Sequence, residues 1–119
     1  MTLTLNGIKA CDTMKKARAW LDENGVAYVF HDYKASGVDR AALERWVDEH
    51  GWEKILNRSG TTFRKLPEAD REHIDRDKAV ALMLAQPSMI KRPVLELESG
   101  ATLVGFRAEQ YAAALAGQA

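Results

Sequence analysis

A chain of 119 residues, 46% hydrophobic and 29% charged, has material for one modest core and not for two. Its 17 basic and 17 acidic residues cancel, which excludes bulk electrostatic attraction to nucleic acid or to an anionic membrane. No apolar run approaches the length of a membrane span.

The first residues lack the basic region and long apolar stretch of a secretory signal. Cys11 is the only cysteine, so no internal disulfide can form. Together these point to a reducing cytoplasm.

Thr2-Leu3-Thr4-Leu5 alternates polar and apolar and predicts a short strand. From Thr13 the pattern turns helical, with Met14, Ala17, Trp20, Leu21 and Asn24 on one stripe and Gly25 as the stop. Val26-Ala27-Tyr28-Val29-Phe30 is apolar throughout and predicts a strand buried on both faces, as in a parallel pair. Asp39 can cap a helix whose stripe is Leu43, Trp46, Val47 and His50, ended by Gly51.

Trp52 to Asn57 reads as a further short helical turn, and Asn57-Arg58-Ser59-Gly60-Thr61-Thr62 as a loop. A second long helix, with Ala79, Leu82 and Met83 facing inward, ends at or just before Pro87. After Pro93, Val94-Leu95-Glu96-Leu97 and Thr102-Leu103-Val104 flank turn residues and predict a hairpin. Glu109 to Leu115 closes the chain as an Ala-rich helix. The reading is an α/β chain, β-α-β, then helices, then β-β-α, in a single domain over 1–119 with a helical insertion at about 38–88.

Cys11 carries the chemistry. A lone cysteine is commonly a small buried hydrophobe. This one follows a strand and sits at the mouth of a helix, among Lys9, Lys15 and Lys16. Unpaired backbone N–H groups and the helix dipole favour a thiolate there, and the thiolate is the nucleophile. The adjacent carboxylate of Asp12 opposes this.

A second candidate is Arg92, in Met89-Ile90-Lys91-Arg92-Pro93-Val94 directly before a strand. If the peptide before Pro93 is cis it makes a tight turn that would bring Arg92 near Cys11. Read blandly, the same stretch is a plain helix-to-strand connection. A guanidinium can grip an oxyanion with two parallel bonds. Arg58 and Arg107 are loop arginines, usually solvated, and would matter only by convergence. His31, His50 and His73 lack metal-ligand spacing to one another or to Cys11, so no metal is expected.

The stretches Gly7-Ile8-Lys9-Ala10-Cys11-Asp12-Thr13-Met14-Lys15-Lys16-Ala17, Leu56-Asn57-Arg58-Ser59-Gly60-Thr61, Met83-Leu84-Ala85-Gln86-Pro87 with Ile90-Lys91-Arg92-Pro93-Val94, and Leu103-Val104-Gly105-Phe106-Arg107 together resemble the arsenate reductase (ArsC) family, which includes the Spx-type regulators. The likeness covers nearly the whole chain and is strongest to the YffB-type proteins, proposed to be glutathione-dependent thiol reductases. It implies a thioredoxin-like fold with a mixed four-stranded sheet and flanking helices.

It also implies a thiol-dependent oxidoreductase, in which Cys11 and an external thiol such as glutathione reduce an oxyanion or a mixed disulfide. Cys11 matches the nucleophile, and Arg58, Arg92 and Arg107 match three arginines around the anion. The N–H groups of Asp12, Thr13 and Met14 would cradle the same anion. Pro93 matches a structural cis-proline. No bound cofactor is implied; glutathione is the cosubstrate, and glutathione or glutaredoxin the partner.

The sequence departs from the arsenate-reducing pattern His-Asn-Pro-x-Cys-Gly-Thr-Ser, which turns the expectation away from arsenate itself. Met14 stands where Spx-type regulators often carry a second cysteine. The alternatives are a non-catalytic family member and an Spx-like regulator that binds the α-subunit of RNA polymerase.

Overall fold

Alternation in the first strand decides which side of the sheet is covered. The computed structural model describes residues 3–9 and 11–115. Thr2, expected in the first strand, and Ala10, ahead of Cys11, lie outside the described residues.

The elements are β1 (Leu3–Gly7), α1 (Asp12–Glu23), β2 (Tyr28–Asp32), α2 (Tyr33–Ser36), α3 (Arg40–His50), α4 (Trp52–Ile55), α5 (Thr61–Arg64), α6 (Glu68–Arg71), α7 (Arg76–Ala85), a 3₁₀ turn (Pro87–Met89), β3 (Val94–Glu96), β4 (Thr102–Val104) and α8 (Ala108–Leu115). Backbone contacts divide the chain into two compact units: the segments before Tyr33 and after Lys91 form one, and Tyr33–Lys91 the other.

In the first unit the sheet order is β2-β1-β3-β4. β1 pairs parallel with β2 and antiparallel with β3, and β3 pairs antiparallel with β4. This is the mixed four-stranded sheet of a thioredoxin-like fold. Leu5 stands opposite Phe30 on one side and Leu95 on the other. Because strand side chains alternate, Leu3, Leu5 and Leu95 point to one face. They form one core cluster with Met14, Ala17 and Leu21 of α1 and Tyr111 and Leu115 of α8.

α1 starts one residue before the expected Thr13. Its buried stripe is Met14, Ala17 and Leu21, with Trp20 half-buried. Asn24 is not part of that stripe: it is exposed, and its Nδ2 donates to the Trp20 carbonyl at 2.8 Å, closing the helix end. Gly25 follows at φ +65°, a conformation that suits glycine after a helix.

β2 corrects the sequence reading more strongly. The strand begins two residues later than the apolar run and extends to Asp32. It is not buried on both faces, because it lies at the end of the sheet, and Val29 is 55% exposed. Inner-face cover comes from α1, where the Arg18 guanidinium lies 4.8 Å from the Phe30 ring centre.

Tyr111 packs edge-on against Trp20 and Phe106, with ring centres 5.7 and 4.9 Å away. Its hydroxyl is buried and has no hydrogen-bond partner among the described residues. Burial pushes its pKa far up. An unpaired buried hydroxyl is destabilising, whereas the ring contacts survive its removal. Tyr111→Phe should therefore raise stability by about 1 kcal/mol; an unchanged or lower midpoint in urea would count against this account of the core.

In the second unit, α3 is capped by Asp39, whose carboxylate accepts from Ala42 N at 3.1 Å. α7 is capped likewise by Asp75, accepting from Lys78 N at 2.8 Å. α3 buries Leu43, Trp46 and Val47, with His50 half-buried at its end. α7 buries Ala79, Val80 and Met83. Leu82, expected inside, is only half-buried; Val80, two residues earlier and about 160° away around the helix, is buried instead. Arg76 ties the two helices, with Nε donating to Asp48 at 2.8 Å.

Candidate functional site

β1 ends at Gly7, and the chain turns through Ile8 and Lys9 to reach α1. A Cβ on Gly7 would overlap the Met14 Sδ and come within 3.2 Å of its Cγ. Glycine thus lets the first turn of α1 sit close against the end of the strand. Met14 is fully buried there, so its side chain anchors α1 and only its backbone N–H is left to serve a ligand.

Cys11 is the residue before the first helical one, in extended backbone at φ −105° and ψ 133°. Its carbonyl accepts from Lys15 N at 3.0 Å, the first bond of the helix. The side chain is half-buried and the thiol is free. Its side chain makes no capping hydrogen bond.

Ionisation changes the balance at the sulfur. Burial pushes the Cys11 pKa up, and this is the largest single influence. Four others outweigh it together: the N–H of Met14, a hydrogen bond from the Arg92 guanidinium, the N–H of Thr13, and the Arg92 charge. The thiol is held below its ordinary range. In linkage terms, the thiolate stabilises the fold most fully above the unfolded thiol's pKa of about 8.5. That contribution fades as pH falls through the lowered folded value.

Arg92 reaches the sulfur from the turn before β3. The Arg92–Pro93 peptide is cis. The Pro93 carbonyl accepts from Gly105 N at 2.8 Å, which ties the turn to the segment leading into Arg107. Arg92→Ala should move the pH midpoint of Cys11 alkylation upward and slow the reaction at neutral pH about three- to tenfold. Arg92→Lys should lie between, keeping the charge and losing the planar fork. A pH–rate curve of Arg92→Ala that superimposes on wild type would refute the contact's electrostatic role.

The other predicted residues stand as follows. Asp12 is the exposed first residue of α1, and Thr13 is half-buried beside it. Arg107 is exposed and precedes α8, its carbonyl accepting from Tyr111 N at 3.0 Å. Arg58 belongs to the Tyr33–Lys91 unit, exposed, with its guanidinium 5.4 Å from the Trp52 ring centre. Among the described residues no three His, Cys, Asp or Glu side chains gather as metal ligands.

Two residues carry weight that the sequence reading does not assign. Gly7 is one, for the close approach just described. Asn6 is the other: it is 3% exposed, and its Nδ2 donates to the Val94 carbonyl at 3.1 Å and to Glu96 Oε1 at 2.8 Å. The available signal is a polar residue at the buried end of a short strand.

Comparisons with known proteins bear on the family and the fold. The ArsC family matches residues 6–114. The structure of a YffB protein is 69% identical, covering 96% of this chain and 99% of that one, with a TM-score of 0.92. An arsenate reductase (ArsC) related protein from Brucella melitensis is 56% identical, covering 95% of this chain and 93% of that one, with a TM-score of 0.75. The global transcriptional regulator Spx of Streptococcus pneumoniae is 28% identical over 115 residues, 95% of this chain and 85% of that protein.

Proposed function

The chain belongs to the ArsC family, and we propose that it is a thiol-dependent reductase that uses Cys11 as nucleophile and glutathione as the external thiol. The observation that carries this is the convergence of two backbone N–H groups and the Arg92 guanidinium on one half-buried sulfur. For a mixed disulfide of glutathione, the Cys11 thiolate attacks the glutathione sulfur. A bond forms from Cys11 to glutathione, the substrate sulfur leaves as thiolate, and it takes a proton from solvent. A second glutathione thiolate then attacks the adduct, releasing oxidised glutathione and restoring the Cys11 thiolate.

The chain has no other cysteine to resolve the adduct, so the second thiol comes from outside. The N–H groups of Asp12, Thr13 and Met14 would hold an anion at the same place, whether a small oxyanion substrate or a glutathione carboxylate. Arg107 and Arg58 are proposed as further anion contacts on the family pattern. A cytoplasmic location fits chemistry that draws on a reduced thiol pool.

The test is the mass of the protein after exposure to oxidised glutathione. One adduct, mapped to Cys11, supports the reading; an unmodified protein overturns it. The 28% identity to Spx favours a second reading, a regulator that binds the α-subunit of RNA polymerase. Retention of the chain on the immobilised carboxy-terminal domain of that polypeptide, with no glutathione adduct, would choose that reading instead.

A further inference from the structure

An asparagine with 3% exposure in a strand is costly unless its amide is satisfied. Asn6 directs both of its observed side-chain bonds at one neighbour, β3: the carbonyl of Val94 and the carboxylate of Glu96. β3 needs such help. It has only three residues, and it follows Pro93, which has no N–H to give to the ladder. Arg92 lies two positions before Val94, and Cys11 five positions after Asn6. One amide therefore braces the two strands from which the nucleophile and its guanidinium are presented.

We infer that Asn6 is a positioning residue for Cys11: by tying the start of β3 to β1, it holds Arg92 against the sulfur. This rests on the reductase reading, since it concerns the same nucleophile. The tie is geometric and does not depend on the Glu96 charge, because a neutral acceptor can take the same 2.8 Å bond.

The experiment is the pH dependence of Cys11 alkylation by iodoacetamide in the purified full chain, which needs no substrate. Asn6→Leu should shift the midpoint upward and slow alkylation at neutral pH about two- to fivefold, as the thiolate fraction falls. Glu96→Gln keeps the acceptor and should leave the profile where wild type has it. Leu115→Ala is a destabilising control in α8 and should also leave the midpoint in place, which separates positioning from a general loss of stability. Should Asn6→Leu not fold, Asn6→Thr removes the two-bond reach with a residue suited to a strand, and the same shift is expected.

An Asn6→Leu or Asn6→Thr profile matching wild type overturns the inference and leaves the reductase reading standing. A midpoint displaced equally by Leu115→Ala also overturns it. A wild-type midpoint at the ordinary thiol value overturns both.

Discussion

Cys11→Ser is expected to remove turnover of a glutathione mixed disulfide, by at least about a thousandfold, while leaving the circular dichroism spectrum unchanged. The size follows from the inventory of the chain. Cys11 is its one sulfur nucleophile, and a serine hydroxyl does not ionise in the range where a thiol does. The N–H groups of Thr13 and Met14 and the Arg92 guanidinium lower the thiol below its ordinary range. They cannot bring an alcohol that far. The variant keeps the anion-binding geometry, so it should still bind the substrate it no longer converts. Residual turnover above about a tenth of wild type would mean that the sulfur is not the nucleophile.

Leu5→Ala is expected to cost about 3–5 kcal/mol, the upper range for a leucine emptied from a core. Leu5 is fully buried in the central pair of the sheet, opposite Phe30 and Leu95. It belongs to the cluster that joins β1 to α1 and α8. Strands on both sides fix its backbone, so the site cannot collapse onto the void. Set against a typical total of about 5–15 kcal/mol, that loss is large. The thermal midpoint should fall by roughly 10–20 °C. A fall under about 3 °C would show that the cluster is looser than its burial indicates.

How much of the fold is legible in the sequence depends on whether a feature is local. Caps and stops are readable because the residues that make them are adjacent in the chain. Asp39 before α3 and Gly51 after it are examples. The sheet's antiparallel hairpin is equally local, from Val94 to Val104. The burial of β2 is not. Its apolar letters resemble those of a central strand, and only the sheet order, which depends on distant pairings, puts it at an edge. Leu82 against Val80 in α7 is the same problem in a helix: both are apolar, they lie on nearly opposite sides, and which one faces inward is decided by what packs there.

The site divides in the same way. Cys11 at the head of α1 can be read from strand, loop and helix in sequence. Arg92 can be suspected from the proline after it, but its bond to the sulfur joins residues about eighty apart and needs the fold. Asn6 escapes a sequence reading because a single polar letter in a strand says nothing about its partners, which lie 88 and 90 positions away. Gly7 belongs to a recognisable motif, yet its reason is the bulk of Met14 arriving from the next element.

The pairing of β1 also bears on how the chain reaches its native state. β2 is close in sequence, with Leu3 opposite Tyr28, whereas Asn6 meets Val94 across 88 positions. Closing the longer loop costs about 4 kcal/mol of chain entropy against about 3 for the shorter. The β1-α1-β2 unit should therefore nucleate first, and β3 should join once Tyr33–Lys91 has become compact and shortened the effective separation. Pulse-labelled amide exchange gives the check: protection of β1 amides facing β2 should precede that of Leu95, and the reverse order would rule out this sequence of events. High contact order of this kind makes the central strand both the oldest and the last-completed part of the sheet.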